Sequence, residues 1–168
     1  MTTPGSSPAG TPVATKDYPH AVDIFRRMDG LEALGMMQRG EVPVTNITRW
    51  MNFSLETVER GHVVFAMLPH EELYNMIGSV HGGIITTLMD NALGTAVQSL
   101  LPAGQVATTM DLHTRFHRPV TAAVGKVFAD ARVVHAGRRT ATSEAKLVDA
   151  QGRVYATGTS TLMILVDG

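Results

Sequence analysis

A carboxylate inside an apolar run is either a reagent or a satisfied structural group, and Asp90 stands in such a run, after Leu88 and Met89 and before Ala92 and Leu93. Burial raises the pKa of an acid, which suits it to proton transfer, unless donors hold the charged form. Position alone leaves both readings open, with Asn91 and strand hydroxyls as candidate donors. Eight residues earlier, Gly82 and Gly83 open the same run. The first N–H groups of a helix have no intrahelical acceptor, and with no side chain over them they can hold an oxyanion. The two features are about 12 Å apart at roughly 1.5 Å of rise per residue, too far for one reacting carbonyl to touch both. An antiparallel copy of the helix, supplied by a twofold dimer, would bring Asp90 of one subunit to Gly82 of the other. A site shared across a homodimer interface is therefore expected.

Other reactive residue types carry less. His113 and His117 are four apart on a predicted strand, about 13 Å at roughly 3.3 Å per residue, so they cannot chelate one ion. His70, beside Glu71 and Glu72, reads as a solvated helix start, and His20, His62 and His135 stand alone. No metal site is expected. The absence of cysteine removes disulfides, thiolate catalysis, cysteine zinc sites and iron–sulfur clusters. The ten methionines read as core filler, with some available to line a pocket.

The elements that must position Asp90 and Gly82 follow from periodicity. From Pro19 the pattern is helical through Val22, Ile24, Phe25 and Met28; Asp29 with Glu32 then offers a capping box for a second helix through Leu34, Met36 and Met37, ended by Gly40 and Pro43. Ile47 to Phe53 reads as a short helical piece or the start of a strand. A hairpin turns at Arg60 and Gly61, and Glu71 to Met76 reads as a helical turn. The long helix starts at Gly82 and stops near Pro102 to Gly104. After it the period becomes two. Val106 to Phe116 alternates, with Thr109, Asp111, His113, Arg115 and His117 expected on one face and Met110, Leu112 and Phe116 on the other. Three more strands follow over 126–135, 140–148 and 153–165. One long helix before a run of antiparallel strands predicts an α+β fold, with the sheet covering the helix.

Composition narrows the partners. The chain has 168 residues, a formal net charge of −1 and 17% charged residues, which suits one globular domain and argues against a phosphate-backbone binder; no nucleic acid is expected. Residues 1–17, rich in Thr, Pro, Gly and Ser, read as a disordered tail and not a signal peptide. Asp90 in the middle of the 82–101 stretch speaks against a membrane span. A cytoplasmic location and no membrane partner are expected.

The ordered set Asn75-Met-Ile-Gly-Ser-Val-His81-Gly82-Gly83, Asp90 in Leu-Met-Asp-Asn, Thr109-Met-Asp-Leu-His-Thr-Arg-Phe-His-Arg-Pro119, and His135-Ala-Gly-Arg-Arg-Thr140 resembles the hotdog-fold acyl-CoA thioesterases of the phenylacetic-acid-pathway, or PaaI-like, type. The likeness runs from about residue 31 to 166. It implies a five- or six-stranded antiparallel sheet wrapped around the Gly82 helix, as one hotdog domain over 18–168 with a helical N-terminal extension, paired into a homodimer and often a dimer of dimers.

The resemblance also implies roles. The Gly82 amide, helped by Asn75, would polarise the thioester carbonyl. Asp90 would activate water or attack directly, Thr109 would orient the nucleophile, and His81 would position the loop. Coenzyme A would lie along Gly83, Phe116, His117 and Arg118 and along Gly137, Arg138 and Arg139, with the arginines as phosphate contacts. A thioester needs mainly an oxyanion donor and a base, so no cofactor is expected. The substrate implied is an aryl- or medium-chain acyl-CoA. A non-catalytic acyl-CoA-binding or sensor module on the same fold is the alternative, and the presence of both Asp90 and Thr109 favours the enzyme.

Overall fold

The computed structural model describes residues 21–166; the tail expected over 1–17 lies outside them. The long apolar run forms α4, Gly82–Gln98. Its buried residues Ile85, Leu88, Met89, Ala92, Leu93 and Ala96 recur at intervals of three and four, so they make one continuous stripe. Against that stripe lies a six-stranded, fully antiparallel sheet, comprising β1 (Ser54–Glu59), β2 (His62–Met67), β3 (Gln105–Phe116), β4 (Val127–Ala136), β5 (Thr140–Asp149) and β6 (Val154–Val166), in the order β1-β2-β4-β5-β6-β3. The α+β architecture is the expected one.

The sheet meets the helix closely because its inner face is small at the centre. Ala129, Ala131, Ala145 and Ala156 are buried in the cluster that holds Leu88, Met89 and Leu93, with the larger Val63, Phe65 and Met67 of β2 on one side. At Gly158 a Cβ would stand 3.0 Å from Cε of Met89 and 3.2 Å from the His113 carbonyl oxygen, so even one methyl group would press on the Met89 tip and on the backbone of β3. Buried serines fasten the two layers: Ser143 donates to the Leu93 carbonyl at 3.1 Å, and the Ser99 hydroxyl accepts the Gly61 N–H at 2.8 Å.

The N-terminal segment forms three short helices, α1 (Ala21–Phe25), α2 (Gly30–Gln38) and α3 (Asn46–Trp50). Asp29 caps α2 as anticipated, accepting the Leu31 N–H at 2.9 Å, and Thr45 caps α3. Ile24, Ala33, Leu34 and Met37 make a small cluster of their own, separate from the main core. No helix among the described residues is long and apolar enough to cross a membrane.

Candidate active site

Asp90 lies on the side of α4 away from Leu88, at the flank of the buried stripe, and is half-buried. Its Oδ1 accepts a hydrogen bond from the Thr109 hydroxyl at 3.0 Å. Strict alternation along β3 puts Thr109 on the face opposite Leu112, but the structure puts both toward α4. The reason is a bulge: Thr109 pairs with Leu162 and Asp111 with the adjacent Thr161, so Met110 is an extra residue and the side-chain parity reverses there. Before it Ala107 and Thr109 face the helix; after it Leu112 packs on the core and Phe116 lies against Gly82. Asp111 stitches the irregularity, its Oδ1 accepting the Thr161 N–H at 3.0 Å while its carbonyl accepts from the Ser160 hydroxyl at 2.8 Å.

At the other end of the site, residues 70–81 fold into a tight excursion that delivers the helix start. A 3₁₀ turn over Glu71–Leu73 leads to a bridge between Tyr74 and Val80, and the His81 N–H bonds the Leu73 carbonyl. Asn75 organises the tip, its side-chain oxygen accepting the Ile77 and Ser79 N–H groups at 3.0 and 3.4 Å and its amide facing the Ser79 hydroxyl at 3.4 Å. His81 is the N-cap, and its Nδ1 accepts the Gly83 N–H at 3.0 Å. That contact divides the two glycines: Gly83 is capped, whereas the Gly82 N–H meets no acceptor among the described residues. The accepting role also puts the proton of the neutral His81 ring on Nε2. A Cβ on Gly82 would lie 3.2 Å from Cζ of Phe116, whose ring is half exposed beside the helix start.

The residues expected along coenzyme A fall into two groups. His117 bonds the Thr157 hydroxyl at 2.9 Å, Arg118 donates to the Val154 carbonyl, and both their N–H groups bond the Tyr155 carbonyl. Tyr155 is itself fixed by Asp149, which accepts from its hydroxyl and from the Gln151 and Arg153 amides. Burial works against the Asp149 charge, but the Arg153 amide, the Tyr155 hydroxyl and the Gln151 amide outweigh it and hold the carboxyl below its ordinary value; burial and the same carboxylate push the Tyr155 hydroxyl up. Gly137, Arg138 and Arg139 form the β4–β5 turn at the far end of the sheet, where the Arg139 carbonyl accepts from Ile164. One subunit therefore does not bring the two groups together.

Asp90 and Thr109 also border a cavity of about 240 Å³. Phe25, Leu34, Met37 and Val44 from the N-terminal segment supply much of its apolar wall, with Leu55 and Phe65 behind them. The amphipathic pattern of the N-terminal helices leaves open whether they cover an acyl pocket or an oligomer face; Phe25, Leu34 and Met37 line this cavity. The Asn91 amide, expected to serve Asp90, donates to the Thr48 hydroxyl of α3 at 3.3 Å.

Residues 77–156 match the family model of the Thioesterase superfamily. That span holds every anticipated site residue except Asn75. A Halobacterium salinarum protein named as an esterase is 39% identical over 105 residues, covering 59% of this chain and 67% of its own. Among solved structures, a phenylacetic acid degradation-related protein of Ralstonia eutropha JMP134 superposes with a TM-score of 0.71 at 26% identity, over 77% of this chain and 98% of its own. The E. coli PaaI protein from the phenylacetic acid degradation operon shares the fold, with a TM-score of 0.71 at 21% identity over 80% of this chain and 94% of its own.

Proposed function

Because this chain belongs to the thioesterase superfamily and is a thioester hydrolase, we propose that it hydrolyses aryl- or medium-chain acyl-CoA to the free acid and CoA, in a site completed across a homodimer. The observation that carries this reading is the Thr109–Asp90 contact at the wall of a partly apolar cavity: a carboxylate held by a hydroxyl beside a space for the acyl group.

In the proposed reaction the thioester carbonyl oxygen accepts from the Gly82 N–H, whose neighbour is already capped by His81. Asn75 holds the loop and turns its remaining amide hydrogen to the same oxygen. Water attacks the carbonyl carbon and gives its proton to Asp90; the C–S bond then breaks and the CoA thiolate takes that proton. In the alternative order the Asp90 oxygen attacks, CoA leaves, and water hydrolyses the mixed anhydride. Thr109 orients the carboxylate in both. Arg118 and the Arg138–Arg139 turn serve the CoA phosphates.

A dimer is supported by the edge of the sheet. β3 is twelve residues long, pairs among the described residues only with β6, and is exposed over Thr108–Asp111. A long unpaired edge is a template for another strand. Antiparallel pairing of two β3 strands would set the Gly82–Phe116 end of one subunit near the Asp90–Thr109 end of the other, and would bring the separated CoA groups toward each other.

The test is thiol release from phenylacetyl-, benzoyl-, hexanoyl- and palmitoyl-CoA by wild type and Asp90→Asn at equal concentration. We expect turnover of the first three by wild type and a loss of about 10²–10⁴ in kcat for the folded variant, the range of a lost acid–base group. Tight CoA binding with no thiol released by either protein would refute the reading.

A further inference from the structure

The 240 Å³ cavity reaches well beyond the reacting atoms, and its far wall belongs to elements that lie outside the family-matched span 77–156. Phe25 of α1, Leu34 and Met37 of α2, and Val44 just before α3 line the space that starts at Asp90 and Thr109. We propose that this N-terminal cover is the length gauge of the enzyme, its apolar side chains stopping the acyl group within the medium-chain range. The inference rests on the acyl-CoA reading and adds to it where the acyl group goes and what stops it.

The wall sets the limit: beyond Asp90 and Thr109 an acyl chain meets Phe25, Leu34, Met37 and Val44. The polar groups along the α4 and α3 wall are largely engaged: Gln98 bonds the Ala107 N–H and the Gln105 carbonyl, each at 3.0 Å, and Thr48 meets Thr45 at 2.8 Å and Asn91 at 3.3 Å. The bottom of the chamber, at Leu34 and Met37, is hydrocarbon.

The cover is docked, not merely adjacent. The Gly30 N–H bonds the Leu101 carbonyl at 2.9 Å, the Gly104 N–H bonds the Phe25 carbonyl at 2.9 Å, and Gln38 donates to the Glu56 carbonyl at 2.7 Å. Gly30 is the closest of these approaches: a Cβ there would lie 1.9 Å from the Gln98 carbonyl oxygen. The start of α2 thus sits backbone to backbone on the end of α4, and no residue but glycine permits it. Displacing α2 at that point would lift Leu34 and Met37 off the chamber.

The experiment is a ladder of saturated acyl-CoAs from acetyl to palmitoyl, read as kcat/KM for wild type, Met37→Ala and Gly30→Ala. The same ladder of non-hydrolysable thioether analogues is titrated by calorimetry, with circular dichroism as the fold check. Wild type should peak within the medium-chain range, with palmitoyl at least tenfold below the peak. Met37→Ala should move the peak to longer chains. Gly30→Ala should raise the palmitoyl-to-hexanoyl ratio at least tenfold, the low end of the roughly 10–200-fold that a methylene-sized misfit makes in an apolar pocket. If Gly30→Ala does not fold, the Met37→Ala ladder decides. A wild type that takes palmitoyl as readily as hexanoyl, or variant ladders that superpose on wild type, would overturn the gauge while leaving the thioesterase reading intact. A length cutoff in calorimetry with no turnover of any chain would uphold the gauge and remove the hydrolase assignment to acyl-CoA.

Discussion

At the start of α4 the open group is a backbone N–H, that of Gly82, with His81 occupying the next amide and the Phe116 ring packed beside it. Eight residues on, the group is a side chain, Asp90, held by a hydroxyl that a strand bulge turns toward it. A backbone donor cannot be deleted by substitution, only covered, so the Gly82 end is sensitive to size. A carboxylate can be replaced by an amide of nearly equal shape, so the Asp90 end is sensitive to chemistry. If the two ends meet across a dimer, each can be broken in a different subunit.

The largest expected effect comes from doing that. Gly82→Val puts branched carbon where one Cβ already comes within 3.2 Å of Phe116, and it covers the free amide; loss of a single oxyanion donor costs about 10²–10³ in kcat. Asp90→Asn removes the acid. Each homodimer should be nearly inactive, but unfolding and refolding an equal mixture should give half heterodimers, each with one site carrying both native ends. Activity should return to about one quarter of wild type. A mixture as inactive as its components would mean that each site lies within one subunit and would end the shared-site reading.

A smaller effect should come from the bulge that turns Thr109 toward Asp90. Asp111 accepts the Thr161 N–H at the irregularity, so Asp111→Ala leaves the strand freer to slip and Thr109 less well aimed. One hydrogen bond of about 1 kcal/mol corresponds to roughly fivefold, and we expect kcat to fall by about that much with KM little changed. Asp111→Asn keeps an acceptor oxygen and should restore the rate. Equal losses in both variants would show that the Asp111 charge, not the stitch, is what matters.

The comparison also shows what a sequence can display. The helix, the strands, the Gly61 turn and the Asp29 cap were legible because each rests on local periodicity or a cap residue. Gly82 and Asp90 stand out because their types are costly or unusual where they stand, whereas Thr109, an ordinary strand residue, is singled out only by the family resemblance; the structure brings Thr109 to Asp90. The direction of Thr109 was not legible, since a bulge changes the parity of a strand without leaving a mark such as glycine; the extra residue here is Met110, which fits regular alternation equally well. Nor was the docking of the N-terminal cover, because the packing of Gly30 on the Gln98 carbonyl joins segments 68 residues apart and looks, in sequence, like an ordinary glycine after a cap.

The smallest effect concerns what supports each end. Asp90 and Thr109 are braced by the paired strands β3 and β6, whereas His117 and Arg118, which follow Phe116, depend on the Tyr155 carbonyl, and Tyr155 depends on the Asp149 carboxylate. Held below its ordinary value in the folded chain, Asp149 stabilises the fold at every pH above the unfolded carboxyl's value of about 3.9. That contribution falls as pH drops from there toward the lower folded value, because below both values the proton is bound in either state. Wild type should therefore exceed Asp149→Asn in denaturant midpoint at pH 7, and the gap should narrow below about pH 4. The Phe116 end should loosen first, seen as faster amide exchange at His117 and Arg118 than at Thr109 as the pH falls, once the intrinsic pH dependence of exchange is removed. A midpoint gap that stays constant from pH 7 to pH 3 would show that the hairpin owes nothing to the Asp149 charge, and that both ends of α4 rest on uncharged packing alone.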